Sequence, residues 1–266
     1  MLEINKIYNG DCLEIMKEIP DNSIDLVVTS PPYDNLREYQ GYVFNFKNIA
    51  KELYRIVKNG GVAVWVVGDA TVRGSETGTS FKQALYFKEI GFNLHDTMIY
   101  QKDAMPFPEQ NRYNQCFEYM FCFSKSTPKT FNAIKEKTKN YGQVRKPSTT
   151  RKSDGSMEYQ NYGLCKEYRN KFNIWKFGVG FMKSSKNPLT FQHPATFPEQ
   201  LAKDHIYSWS EEGDIVLDPF VGSGTTCVVA KQMGRRYIGV DISKKYCDIA
   251  QKRLDAVNQD LFIDIK

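Results

Sequence analysis

Nowhere in the 266-residue chain does an apolar run approach the roughly 18 residues that cross a bilayer. The start, MLEINKIYNGD, lacks a basic stretch followed by an apolar block, so the chain reads as soluble, unexported and cytoplasmic. Cysteine is sparse and scattered: Cys12, Cys116, Cys122, Cys165, Cys227 and Cys247 form no C-x-x-C pair and no Cys/His group at zinc spacing. That excludes a disulfide framework and structural zinc, and leaves small buried hydrophobes in a reducing compartment. Neither apolar nor charged residues are short, at 41% and 25%, so wholesale disorder and fibrous repeats are excluded too. The length suits one globular domain with an insertion or two small domains.

Acidic residues are what one segment lacks. Lys125 to Thr190 holds fifteen Lys/Arg against four Asp/Glu, a net of +11, whereas the rest of the chain is net −6 and the whole is +5. From 128 to 187 the chain has no clear hydrophobic period, yet it carries nine aromatics, which argues against full disorder.

On either side of this segment, strands and helices alternate. Asp25 to Val28 and Gly61 to Gly68 are short β-branched runs of the kind buried on both faces of a parallel sheet. Between them, Ile49, Leu53, Ile56 and Val57 recur at helical spacing, and Asn59-Gly60-Gly61 should end that helix. Strands are expected at Asp96–Gln101, Phe117–Phe123, Asp214–Leu217 and Arg236–Val240, and helices at Gly224–Met233 and Lys244–Val257, the last capped by Ser243. The fold class is α/β: doubly wound, with a mostly parallel sheet.

Two elements carry chemistry. Asp218-Pro219-Phe220-Val221-Gly222-Ser223-Gly224-Thr225-Thr226 follows a strand and opens a helix, where a ligand can approach the backbone closely. A Walker loop would need Lys in place of Thr225, and a dinucleotide fingerprint Gly or Ala in place of Cys227. A nucleoside-type ligand remains, with Asp241, seventeen positions beyond Gly224, placed to accept ribose hydroxyls. A tight turn with a helix-capping acid is the plainer alternative. The second element, Thr29-Ser30-Pro31-Pro32-Tyr33, ends a strand with two prolines that remove backbone donors and fix φ. The Ser30 hydroxyl and Pro31 carbonyl are left as acceptors beside a Tyr ring, parts suited to a planar amino group and its ring. Here the alternative is a Pro-Pro turn with a packed Tyr.

Together these blocks resemble the amino-group DNA methyltransferases of the permuted beta class. In that family the Pro-Pro-Tyr block precedes a target-recognition region and the cofactor loop comes last. The resemblance covers nearly the whole chain and implies a class I methyltransferase fold, Rossmann-like, with S-adenosyl-L-methionine as cofactor. It divides the chain into a catalytic body of 1–125 and 191–266 and a recognition insertion of 126–190. Asn9-Gly10-Asp11-Cys12 looks like the adenine-side contact of the cofactor, through Asp11 and Cys12. His193-Pro194-Ala195-Thr196-Phe197-Pro198 resembles the block lining its methionine end, through Pro194, Thr196 and Phe197. Pro219, Phe220, Gly222, Ser223, Gly224 and Thr225 would complete that pocket beside Asp218 and Asp241.

What the resemblance implies is direct in-line methyl transfer to an exocyclic amine of a flipped base in double-stranded DNA, at Ser30, Pro31, Pro32 and Tyr33. Ser in the first position is typical of cytosine N4 enzymes in that family and Asp of adenine N6 enzymes, so N4-cytosine is favoured and N6-adenine is the alternative. None of the eleven prolines precedes a cysteine, so the Pro-Cys nucleophile of ring-carbon methylation is missing. Asp34 to Tyr39 is polar and reads as a loop over the site, where Arg37 could meet a phosphate, with a solvated edge as the plainer alternative. The expected setting is a bacterial or phage restriction-modification system, with the nuclease, if any, on another chain, no metal, and a monomer or homodimer. A DNA-binding module without catalysis is the remaining alternative, and it leaves the cofactor loop unexplained.

Overall fold

The computed structural model describes residues 2–32, 44–103, 111–144, 148–160, 163–193 and 196–257. The chain forms a large unit, Met1–Asn132 with Asn173–Lys266, and a small one, Ala133–Phe172.

In chain order the strands of the large unit are β1 (Lys6–Asn9), β2 (Ile24–Thr29), β3 (Val57–Val67), the short β4 (Thr71–Val72) and β5 (Ser75–Glu76), β6 (Asn93–Asp103) and β7 (Phe117–Ser124). After β8–β11, which belong to the small unit, come β12 (Ile174–Gly178), β13 (Ile215–Asp218) and β14 (Arg236–Asp241). The helices are α1 (Cys12–Lys17), α2 (Phe46–Ile56), α3 (Thr79–Glu89), α4 (Glu199–Trp209), α5 (Thr225–Gln232) and α6 (Lys244–Asp255). Eight strands build one sheet in the order β1-β14-β13-β2-β3-β7-β6-β12. All neighbours pair in parallel except β7, which runs antiparallel to both β3 and β6.

The expected α/β pattern rests on burial. Every residue of β2 is buried, as is Gly61–Val67 of β3, because helices cover both sheet faces. Helix α2 buries Ile49, Ala50, Leu53 and Ile56, the face its spacing predicts, each large side chain contributing about 1.5–3 kcal/mol. Val57, expected in that helix, already belongs to β3. Asn59-Gly60-Gly61 therefore does not stop the helix but bulges within β3, where the register slips between the Ile24 and Leu26 pairs. A Cβ on Gly61 would lie 2.9 Å from the Asp25 carbonyl oxygen, so the close strand approach needs glycine there. Trp65 anchors the core, its Nε1 donating to Gln83 Oε1 at 2.8 Å, while Phe87 stacks on Phe123 with centroids 4.4 Å apart.

One expectation is corrected here. Ser243 stands at the start of α6, but its side chain makes no capping bond; its amide instead donates to Asp241 Oδ1 at 2.8 Å. The small unit lies inside the expected recognition insertion of 126–190, and the remaining residues of that insertion, 126–132 and 173–190, cluster with the large unit. Strand β12 completes the sheet beside β6, burying Trp175 and Phe177 while Ile174 stays exposed.

The small unit contains β8 (Lys135–Lys137) paired with β11 (Tyr168–Asn170) and β9 (Ser148–Arg151) paired with β10 (Met157–Gln160), both antiparallel. Arg169 pairs with Glu136 at 2.6 Å and lies over the Phe172 ring. Ten Lys/Arg face four Asp/Glu in Ala133–Phe172, a net of +6, and Tyr141, Tyr159, Tyr168 and Phe172 are exposed. No helix among the described residues is long and apolar enough to cross a membrane.

Candidate active site

The sheet reverses its winding between β13 and β2. From β2 the chain moves to β3 on one side, and from β13 to β14 on the other, so the loops leaving these neighbours diverge and open a crevice at their carboxyl ends. The two blocks singled out in the sequence are those loops. They are tied together: Thr29 Oγ1 donates to Asp218 Oδ1 at 2.6 Å, and Thr226 Oγ1 donates to the Val28 carbonyl at 3.0 Å.

A cleft of about 800 Å³ opens there, a size suited to small-molecule ligands. Ser30, Pro31 and Pro32 line it together with Pro219, Phe220, Gly222, Ser223 and Thr225 of the Gly-rich loop. Cys12, Thr196, Phe197 and Asp241 line it as well. Tyr33 and Pro194 lie outside the described residues, as do Asp34 to Tyr39.

Three further expected residues do not face the cleft. Asp218 is buried, and rather than lining the cleft it braces the loop, accepting from Thr29 and from the Phe220 amide. Burial pushes its carboxyl up to about 6, against the hydrogen bonds from Thr29 and Phe220. Asp11 caps α1 by accepting from the Leu13 amide at 2.7 Å, while its neighbours Gly10 and Cys12 reach the cleft. Gly224 begins α5 at φ +88°, and a Cβ on it would come 2.8 Å from the Ala250 Cβ, so it serves the packing of α5 on α6.

Asp241 ends β14 at the cleft. Its Oδ2 accepts from the Gly222 amide at 2.9 Å and its Oδ1 from the Ser243 amide, which fixes the carboxylate and leaves each oxygen a second acceptor position. Burial raises its pKa, and the two amides oppose that rise. Gly222, at φ +50°, lets the loop pass against the His193 ring, 3.1 Å from where a Cβ would stand. A nucleoside fits this chemistry: a glycine backbone open to close approach and a fixed carboxylate with two acceptor positions to spare.

The sequence alone did not reveal the rest of the lining. Tyr100, Lys102 and Glu118 of β6 and β7 line the cleft, and Lys102 Nζ meets Glu118 Oε1 at 2.6 Å. So do Gly180, Phe181, Ser184 and Phe191, from the segment after β12. No local motif marks these residues; pairing of distant strands brings them here. Among the described residues no group of three His, Cys, Asp or Glu could hold a metal ion.

Comparison with known proteins accords with this geometry. A family described as DNA methylase, the N6/N4 methyltransferases, matches residues 24–252. The orphan methyltransferase M.BamHII of Bacillus amyloliquefaciens is 58% identical over 243 residues, 90% of this chain and 92% of that protein. The Thermus thermophilus protein TTHA0409, solved as a complex with S-adenosyl-L-methionine, superposes with a TM-score of 0.61 at 25% identity, covering 94% of each chain. The PvuII DNA methyltransferase, cytosine-N4-specific, shares the fold with a TM-score of 0.68 at 23% identity, covering 96% of this chain and 86% of that one. With its family match spanning most of the chain, this protein belongs to the N6/N4 DNA methyltransferases.

Proposed function

We propose that the enzyme methylates the exocyclic N4 amine of cytosine in double-stranded DNA, using S-adenosyl-L-methionine and a base turned out of the duplex. The observation that carries this reading is the placement of Ser30, Pro31 and Pro32 on the same cleft as the Gly-rich loop, with Thr29 and Asp218 bonded behind them. Bound in the cleft, the cofactor supplies an electrophilic sulfonium methyl group. Asp241 would accept from its ribose hydroxyls, Gly222, Ser223 and Thr225 would meet it through the loop, Cys12 would face its adenine, and Thr196 and Phe197 its methionine end.

An exocyclic amine is a poor nucleophile because its lone pair is delocalised into the ring. Hydrogen bonds from that amine to the Ser30 hydroxyl and the Pro31 carbonyl favour a pyramidal nitrogen, and they strengthen as the nitrogen gains positive charge. The prolines keep this pair of acceptors rigid, and the shared cleft supplies proximity. Tyr33, next in sequence, is the residue to stack on the turned-out base. Ser30 at the first position of this block, typical of cytosine N4 enzymes in the family that the sequence resembles, is what favours cytosine over adenine in this reading. The insertion of 126–190 is the target-recognition region in this reading, and the small unit within it, net +6 with exposed aromatics, suits phosphate and base contacts. A nuclease partner, if the enzyme serves a restriction system, would be a separate chain.

Incubation of purified enzyme with cofactor and unmodified bacterial DNA, followed by nucleoside mass spectrometry, tests this. N4-methylcytosine is expected. N6-methyladenine would overturn the base assignment, and no methylated nucleoside would overturn the reading.

A further inference from the structure

The Gly-rich loop is held from behind by a charge that the chemistry does not use. Arg253, near the end of α6, is 1% exposed, and its guanidinium forks between two partners. Its Nη1 donates to the Ser223 carbonyl at 2.5 Å and lies 3.3 Å from both the Ser223 Oγ and the Thr225 Oγ1. These residues flank Gly224, and both line the cleft. The Nη2 donates to Glu199 Oε1 at 2.6 Å, at the first residue of α4.

Glu199 extends the link to a second stretch of the cleft lining. Its Oε1 also accepts from Ser185 Oγ at 2.7 Å, and its amide donates to the Ser184 carbonyl at 2.9 Å. Ser185 Oγ in turn sits 2.9 Å from Thr190 Oγ1. Ser184 and Phe191 belong to the wall that the structure adds to the site. One guanidinium thus joins the cofactor loop to the segment Ser184–Phe191, two stretches without any direct pairing among these bonds. Burial lowers the pKa of Arg253, and Glu199 is the charge that opposes this.

We propose that Arg253, held by Glu199, is a positioning residue for cofactor binding: it fixes the Ser223–Thr225 turn relative to the segment Ser184–Phe191. This rests on the assignment of that loop to S-adenosyl-L-methionine. A buried arginine is a costly way to fill space, whereas its planar fork holds a loop carbonyl on one terminal nitrogen and a carboxylate on the other in a fixed geometry, which the single, freely rotating nitrogen of a lysine ammonium does not reproduce.

Arg253→Lys keeps the charge for Glu199 and removes the fork. Calorimetric titration with S-adenosyl-L-methionine should show affinity weakened about ten-fold or more in a folded variant, with the KM for DNA and the kcat at saturating cofactor within about two-fold of wild type. Unchanged cofactor affinity beside a lowered Tm would overturn the proposal, because a merely structural role predicts that result. Equal losses for cofactor and DNA would overturn it as well. Should Arg253→Lys not fold, Glu199→Gln, which leaves an acceptor on the guanidinium, is read the same way: several-fold weaker cofactor binding is expected, and unchanged binding refutes it. Failure of the wild-type protein to bind the cofactor would instead remove the underlying loop assignment, and the proposal with it.

Discussion

Replacing Thr29 with Val removes one hydroxyl and little volume, and it isolates the bond that ties β2 to β13. The Asp218 carboxyl is raised from 3.8 to about 6, chiefly by burial, so it binds its proton more tightly folded than unfolded. Its contribution to stability is therefore fully present below about pH 4 and is lost as pH rises to about 6. At 1.36 kcal/mol per unit, the ionised buried group costs the fold about 3 kcal/mol above that window. Thr29 offsets part of the cost, since a hydrogen bond to a charged acceptor is worth about 1.5–3 kcal/mol and one to a neutral acid about 1. Thr29→Val should then destabilise the protein by about 1 kcal/mol at pH 5 and about 2–3 kcal/mol at pH 8. Urea unfolding of variant and wild type at both pH values measures the difference, and other titrating groups cancel in it. In an Asp218→Asn background the pH dependence should vanish. An equal loss at both pH values, or a larger one at pH 5, would refute the reasoning.

Gly224→Ala should destabilise by about 2 kcal/mol or more, from a left-handed φ and contact with Ala250, and an added Ala250→Gly should recover only the contact part in thermal melts. Asp241→Asn, which keeps the shape but replaces an acceptor oxygen with a donor, should weaken S-adenosyl-L-methionine binding about 30-fold or more in titration calorimetry, with Tm falling by a few degrees at most. Binding of DNA by the wild type should weaken steeply with salt, and Arg151→Gln together with Lys166→Gln in the small unit should reduce the log–log slope by about 1–2, read by fluorescence anisotropy.

The catalytic body was legible where burial is simple. Asp25–Val28 and Gly61–Gly68 read as buried strands because both faces of a parallel sheet demand apolar residues, and they bracket a helix with one clear apolar face. Helix α4 escaped detection because it buries Asp204, His205 and Ser208 along with its apolar residues, which blurs its period. Strand β12 was hidden for the opposite reason: only two of its five residues are buried, inside a basic stretch. The site divided in the same way. Ser30–Pro32 and the Gly-rich loop carry their signal in consecutive residues, since each forms one turn. Lys102, Glu118 and the Arg253–Glu199 link depend on pairing between distant elements, which no local pattern records. Asp218 and Asp11 were recognised as important acids, but position in a motif does not say whether a carboxylate faces a ligand or its own backbone.

In the proposed reaction Ser30 and the Gly-rich loop together move a methyl group onto an exocyclic amine. Its most direct test uses S-adenosyl-L-methionine labelled with deuterium in the transferred methyl, unmodified duplex DNA, and mass spectrometry of the digested nucleosides for wild type and Ser30→Ala side by side. Labelled N4-methylcytosine is expected from the wild type and none from Ser30→Ala, with cofactor affinity equal in the two. Label on the cytosine ring carbon, or full labelling by Ser30→Ala, would contradict it.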